Sequence, residues 1–368
     1  MDHFPQALAS GYAFCNRKNE TERLKFNLIE SRPTLSVSSR RYGKTSLALH
    51  TIKQEKLHYA QFDFLSAVCI DDIEKIILRG MGQLLERIEK GPRKALKLAT
   101  DIFSGLSIKL SSDVIGLSVE INKRSNSMAT HILSILERAE KLSIKYNIKI
   151  VLLFDEFQRV FQVSEDQSIE SIIRQVAQES KNLSFIFSGS NRYLLDKVFS
   201  DRNRPLYKLC DRFNLERISS HHYLKYIYRV AKKTDRHIDE DAIEKVFHYT
   251  ERHPYYMNLL CSRLWILKVI KVDDVDRAWA AYAFEERSSV ANELDLLSNS
   301  QRKLLAALAR SNGTNEPRGR DFKVKANMPG ATIAQALTVL EKKDFVFKDS
   351  QGIYKILDPV MKYILYEN

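Results

Sequence analysis

The residue types that can do chemistry are densest in Ser38-Ser39-Arg40-Arg41-Tyr42-Gly43-Lys44-Thr45-Ser46. The segment follows an apolar, β-branched run, Thr34 to Ser38, and turns helical at Leu47, Ala48 and Leu49. In that setting successive backbone N–H groups and a helix N-terminus can point at phosphates, which makes the segment a Walker A loop. The Lys44 ammonium would neutralise the β and γ oxygens, and the Thr45 hydroxyl would ligate magnesium. The expected binding residues are Ser38, Ser39, Arg40, Arg41, Tyr42, Gly43, Lys44, Thr45 and Ser46. One of them departs from the usual pattern: Ser38 stands where glycine opens the loop, and serine suits that place only if its φ stays negative.

Gly-Lys-Thr alone is a common tripeptide, so its context decides. Lys149 to Phe154 is an apolar, β-rich run that ends in Asp155-Glu156, which is a Walker B pattern. Asp155 is expected to hold magnesium, mostly through water, and Glu156 to polarise the attacking water as general base. The plainer reading of these carboxylates is a pair favoured by a helix macrodipole. The next run, Ser184 to Ser188, ends in Gly189-Ser190-Asn191-Arg192. Ser188 is the candidate for reaching the γ-phosphate and its water, and Arg192 for sensing phosphate charge. The plainer reading is a helix cap by Ser190 beside a solvated arginine. The ligands implied are ATP and Mg2+, and the reaction is hydrolysis of ATP to ADP and phosphate.

Elements must bring these residues together. The first 220 residues alternate β-rich runs with longer helical patterns, the mark of a parallel sheet with crossover helices. The expected strands are Thr34 to Ser38, Leu57 to Leu65, Lys149 to Phe154, Leu183 to Ser188 and Arg212 to Ile218. Between the second and third, Asp71 to Phe103 reads as helix broken near Gly91-Pro92. Ser107 to Ile121 then reads as a hairpin around a polar Ser111-Ser112-Asp113 centre. Helical periodicity runs through Tyr223 to Ala231, Asp241 to Tyr249, Tyr255 to Val269 and Val275 to Phe284, with no strand expected there. A helix capped by Ser298 or Ser300, a helix over Ala331 to Lys343, and short strands Phe345 to Lys348 and Ile353 to Ile356 describe a winged helix-turn-helix. The expected domains are residues 1–218, with an insertion at about 71–125, then 219–295 and 296–368.

Composition narrows the class. With 368 residues, 44% hydrophobic and 28% charged, the chain can build two or three packed domains. No apolar run approaches the roughly 20 residues that span a bilayer, and Met1 to Asn16 lacks the order of a secretion signal, so no membrane contact and a cytoplasmic address are expected. Cys15, Cys69, Cys210 and Cys261 form no CxxC pair, which argues against a zinc site or a disulfide framework. The net charge of +12 suits an anionic partner.

With these motifs in order, the chain resembles the archaeal-type ATPase family, a branch of the STAND nucleotide switches within the AAA+-like P-loop proteins. The likeness also takes in Phe14-Cys15-Asn16-Arg17, Asp155-Glu156-Phe157-Gln158, Phe187-Ser188-Gly189-Ser190, Arg204-Pro205-Leu206-Tyr207, His253-Pro254-Tyr255-Tyr256 and Asp358-Pro359-Val360. Asn16 stands where that family expects glycine. The resemblance implies an α/β core of the additional-strand type, a helical lid-like domain and a winged helix. It also implies that the His253-Pro254 turn closes over adenine. The alternative for Pro254 is a favourable first-turn proline. Arg202 and Arg204 follow the sensor helix, where either a nucleotide contact or a basic loop is possible.

Three functions follow. The first is a nucleotide-driven switch acting on a protein partner or a second copy. The second is a DNA-binding regulator or mobile-element protein. The third is a ring-forming motor whose pore loop would lie near Ser111 to Ile115. For DNA, the recognition helix would face outward with Thr332, Gln335 and Thr338, none an arginine, while Arg318, Arg320, Lys323 and Lys325 lie in the loop before it.

Overall fold

The computed structural model describes residues 3–89, 91–104, 108–113, 116–121, 128–164 and 166–367. The chain divides into two compact units, one of Arg17–Leu215 and one of Met1–Asn16 with Glu216–Asn368.

The first unit opens with α1 (Lys18–Ile29), β1 (Thr34–Val37), α2 (Lys44–Gln54) and β2 (His58–Asp63). Next come α3 (Ile70–Ile88), α4 (Pro92–Ile102), β3 (Ile108–Asp113), β4 (Gly116–Ile121) and α5 (Met128–Tyr146). It closes with β5 (Ile150–Asp155), α6 (Gln158–Val163), α7 (Ser168–Glu179), β6 (Leu183–Gly189), α8 (Arg192–Ser200) and β7 (Asp211–Asn214). Five strands form one parallel sheet in the order β2-β5-β6-β1-β7. Every residue of β5 and β6 is buried, as expected of central strands covered on both faces, and their continuous apolar runs are what makes them legible. β6 lies between the loop-bearing β1 and the carboxylate-bearing β5, which is the additional-strand arrangement.

Phenylalanines fill the space under the strand ends. The Phe187 ring lies 5.2 Å from Phe154 and 4.8 Å from Phe157, centroid to centroid, and the three are fully buried. This packing fixes where β5 and β6 end, and so where their terminal side chains emerge.

The inserted hairpin pairs β3 with β4, Ile108 opposite Ile121 and Asp113 opposite Gly116. Ser111, Ser112 and Asp113 lie within β3, so the polar triplet expected to form the centre continues the strand instead. Backbone groups make the ladder, and a short polar run does not end it. Residues Ser107, Val114 and Ile115 of the expected hairpin and pore loop lie outside the described residues.

The second unit comprises α9 (Ser220–Thr234), β8 (His237–Ile238), α10 (Glu240–Thr250), α11 (Pro254–Leu264), β9 (Val269–Ile270) and α12 (Val272–Asp295). It continues with α13 (Asn299–Arg310), α14 (Arg320–Ala326), α15 (Gly330–Lys342), β10 (Val346–Lys348), β11 (Tyr354–Ile356) and α16 (Pro359–Glu367). One apolar core runs from Ile227 and Trp279 of the helical segment to Leu304, Leu337 and Val360 of the winged helix. The N-terminal segment joins it: the Phe4 ring meets Tyr226 and Trp265 edge-on at 5.6 and 4.7 Å.

Ser298 caps α13, accepting from Gln301 N at 3.4 Å, with the Gln301 side chain returning the bond. β8 and β9 form a two-residue parallel pair where sequence periodicity predicts no strand, and α11 stops at Leu264 rather than continuing to Val269. A two-residue strand is too short to show alternation. Helices α14 and α16 are also absent from the sequence reading. Asp358 starts α16 by accepting from Val360 N and Met361 N at 2.8 and 3.1 Å, with Pro359 at the first helical position.

Candidate nucleotide-binding site

The parallel register sets the site. Asp63 of β2 lies opposite Asp155 of β5, Phe154 opposite Phe187 of β6, and Val37 of β1 opposite Gly189 of β6. Four strands therefore end side by side, and the loop 38–43 and the segments 156–158 and 190–191 leave from one edge of the sheet. Ligands of open α/β sheets bind at such carboxyl ends.

In the loop, Arg41 has φ 63° and Gly43 has φ 88°, while Ser38 is not among the residues of positive φ. The missing first glycine is thus accommodated without left-handed backbone at Ser38. Gly43 is the N-cap of α2, so Lys44 and Thr45 open the helix at its positive end. Lys44 is buried, and its Nζ donates to the carbonyl oxygens of Ser38 and Ser39, both at 2.9 Å. Arg17, which is buried, donates to Tyr42 O at 3.3 Å and pairs with Glu20 at 2.9 Å, tying α1 to the loop.

Asp155 connects two hydroxyls. Thr45 Oγ1 donates to Asp155 Oδ2 and Ser188 Oγ donates to Asp155 Oδ1, each at 2.6 Å. Ser188, expected to face a phosphate, is instead engaged with this carboxylate and is fully buried. Next to it, Glu156 has a left-handed backbone, φ 50°, which is uncommon for a side chain of its kind and turns the chain sharply out of β5. Its Oε2 accepts from Ser190 Oγ at 2.7 Å and from Gln158 Nε2.

Three carboxylates, Asp63, Asp155 and Glu156, thus gather at neighbouring strand ends. The Asp63 carboxyl is pushed above its ordinary range, first by desolvation and further by the charges of Asp155 and Glu156, against the bond from Leu65 N. The donors available for a cation are a hydroxyl and carboxylates, all oxygen, which suits a hard divalent ion. Among the described residues no cluster of three or more His, Cys, Asp or Glu side chains could cage a metal. One hydroxyl and one carboxylate supplemented by water and phosphate is how Mg2+ is usually held, so the donor set fits it.

Arg192 occupies the first position of α8, and the cap is Asn191, whose Oδ1 accepts from Leu194 N at 3.0 Å. Ser190 is therefore not the cap. Arg204 pairs with buried Glu170, and Arg174 donates to Pro205 O and Tyr207 O, so the Arg204 to Tyr207 motif is anchored to α7. Arg202 is exposed. Pro254 belongs to the other unit, at the first position of α11, where its fixed φ and missing N–H suit the helix. In that unit Tyr256 OH donates to Asp358 Oδ2 at 2.6 Å, joining two of the motifs on which the family resemblance rests.

Asp63 is absent from the sequence analysis, and Gln158 enters it as part of a family motif with no role of its own. The structure shows why Gly189 accompanies it: a Cβ on Gly189 would meet Gln158 Oε1 at 2.0 Å.

Comparison with known proteins bears on the fold. Residues 288–367 match the family model described as "Probable winged helix domain". The chain is similar to a solved Walker-type ATPase of Pyrococcus abyssi, at 17% identity and a TM-score of 0.72, covering 99% of each chain. It is also similar to the ORC2 protein of Aeropyrum pernix, at 15% identity and a TM-score of 0.58, covering 95% of this chain and 92% of that one. No curated protein matches the chain in sequence. The fold is that of the P-loop ATPases of these archaeal types: a five-stranded parallel sheet with helices, a helical region and a C-terminal winged helix. No helix among the described residues is long and apolar enough to cross a membrane.

Proposed function

We propose that this chain binds ATP with Mg2+, hydrolyses it slowly, and acts as a nucleotide-dependent switch of the STAND kind. The observation that carries the reading is the 2.6 Å contact between Thr45 Oγ1 and Asp155 Oδ2, which puts a helix-start hydroxyl and a strand-end carboxylate where one Mg2+ can meet both. When bound, the metal supplies charge neutralisation at the phosphates. Lys44, now directed at two carbonyls of its own loop, has the reach to exchange them for β and γ oxygens. Glu156 serves as general base for the attacking water. Ser188 orients Asp155, and Arg192 at the start of α8 reads phosphate charge. The switch itself requires that γ-phosphate contacts differ between two domain arrangements.

The test is equilibrium nucleotide binding and single-turnover hydrolysis by the wild type, Lys44→Ala and Glu156→Gln. Lys44→Ala is expected to lose binding. Glu156→Gln is expected to bind ATP and to hydrolyse it about 10² to 10⁴ times more slowly. Normal ATP binding by Lys44→Ala would sink the assignment. Protease digestion in ATP and in ADP tests the switch, and identical patterns count against it.

DNA binding through the winged helix is a second reading, favoured by the exposed Arg318, Arg320 and Lys325 around α14.

A further inference from the structure

Ser190 makes every hydrogen bond a hydroxyl can make. It donates to Glu156 Oε2 at 2.7 Å, and it accepts from Arg40 Nε at 3.3 Å and from Gln158 Nε2 at 3.4 Å. Gln158 also donates to the same Glu156 oxygen. One buried oxygen therefore stands between an arginine of the phosphate loop and the carboxylate read as general base. The placement is tight, because Ser190 and Gln158 are both almost fully buried and Gly189 leaves just enough room for the Gln158 amide. Gln158 Oε1 is buried with no hydrogen-bond partner, so the amide is held by what its nitrogen donates to. Such an uncompensated acceptor costs stability, and the bonds of the amide nitrogen to Glu156 and Ser190 give a reason for keeping it.

We propose that Ser190 is a positioning residue that couples the phosphate loop to the general base. Arg40 must release Ser190 Oγ to turn toward phosphate, and Ser190 then keeps Gln158 as its one remaining donor while it continues to hold Glu156. The Glu156 carboxylate is thereby fixed in orientation, and its freedom to address water depends on which donors Ser190 has. The inference rests on the ATPase reading above and adds a route by which loop occupancy reaches the catalytic carboxylate. Two opposite consequences follow for removal of the hydroxyl. Nucleotide binding no longer competes with an Arg40–Ser190 bond, so it tightens. The carboxylate loses its restraint, so turnover slows.

The experiment measures the affinity of the full chain for a non-hydrolysable ATP analogue with Mg2+, together with kcat and melting temperature. The variants are Ser190→Ala, Ser190→Cys and Ser190→Thr, with wild type and Lys44→Ala in parallel. Ser190→Ala is expected to bind the analogue about fivefold more tightly, the equivalent of one modest hydrogen bond, and to lose roughly tenfold in kcat. Ser190→Cys keeps the size, donates weakly, and should move both quantities the same way even if the alanine variant folds poorly. Ser190→Thr keeps the hydroxyl and should restore both to within about twofold. A purely structural role would weaken binding and turnover together with the melting temperature. That result, or no change in either quantity, overturns the coupling. If the wild type itself neither binds the analogue nor hydrolyses ATP, the ATPase reading falls and takes the coupling with it; a working wild type with unaltered Ser190 variants removes the coupling alone.

Discussion

Two half-buried polar clusters, one in each compact unit, hold their carboxylates in opposite ways. In the second unit, Glu251 at the end of α10 sits between Arg217 and Lys362. Arg217 also donates to Leu357 O at 3.1 Å, and Lys362 to Asn312 Oδ1 at 2.6 Å. One carboxylate meets two cations and every partner is a protein group, so the helical segment and the winged helix are clasped together. In the first unit, Asp155 and Glu156 are held by hydroxyls, an amide and a backbone N–H, while Lys44 donates to carbonyls and Arg40 to a serine. The carboxylates there are anchored by neutral donors. A carboxylate clasped by protein cations serves stability; carboxylates held by neutral donors beside a phosphate loop are arranged for ions brought from outside.

The sharpest way to break that contrast is to neutralise one carboxylate in each cluster. Asp155→Asn retains an acceptor for one hydroxyl and offers a donor to the other, so stability should stay within about 1 kcal/mol of wild type while Mg2+-dependent hydrolysis falls at least about 10²-fold. Urea unfolding beside a turnover assay reads both. A large loss of stability would show that Asp155 is a structural residue like Glu251.

Glu251→Ala is the converse. Removing one partner leaves two cations inside the clasp, and the expected loss is about 3–5 kcal/mol in urea unfolding. The acid side carries a further expectation. Burial pushes the Glu251 carboxyl up, but Arg217 and Lys362 outweigh burial and hold it below its ordinary value of 4.5. Its folded form therefore binds protons less readily than the unfolded chain. The stabilisation is complete above about pH 4.5 and drains away as pH falls through the lower folded value. Glu251→Gln should lack that part of the acid dependence, and an unchanged acid limb would remove Glu251 as its source.

The same contrast explains what was legible beforehand. Lys44, Thr45, Asp155 and Glu156 are legible because each lies at a fixed step from a short β-rich strand buried along its whole length. The five expected sheet strands are all present, and the winged helix follows its hairpin and Ser298 cap. Ser190 takes a role in the sequence only as an alternative helix cap, because it lies 34 positions from Glu156 and their contact arises only when β5 and β6 end together. Asp63 has no local mark at all; it meets Asp155 because β2 is the neighbour of β5. Arg204 looked equally fit for a phosphate or for solvent, and its partner Glu170 lies one helix back in sequence. In the second unit, α14 went unseen since seven residues with three basic side chains show little apolar stripe, and Phe322 and Ala326 are its buried positions.

The smallest expected effect concerns that short helix. If the winged helix meets DNA, the contact is to phosphate rather than to base edges. α15 buries Ile333, Ala336, Leu337 and Leu340 and exposes Gln335 and Thr338, so it offers no guanidinium to fork onto a guanine. The cations lie on and before α14, where Arg318, Arg320 and Lys325 are exposed and Lys323 is half-buried. Phosphate contacts carry a salt dependence of about 0.9 in log–log slope for each one made. Replacing Lys323 and Lys325 together by glutamine should therefore reduce the slope by roughly two and weaken binding alike on unrelated sequences. Fluorescence anisotropy over a salt series with two duplexes of different sequence measures it. A sequence-dependent loss would assign base readout to α14 or α15, and no binding at low salt would leave the winged helix, like the Glu251 clasp beneath it, as a packing element.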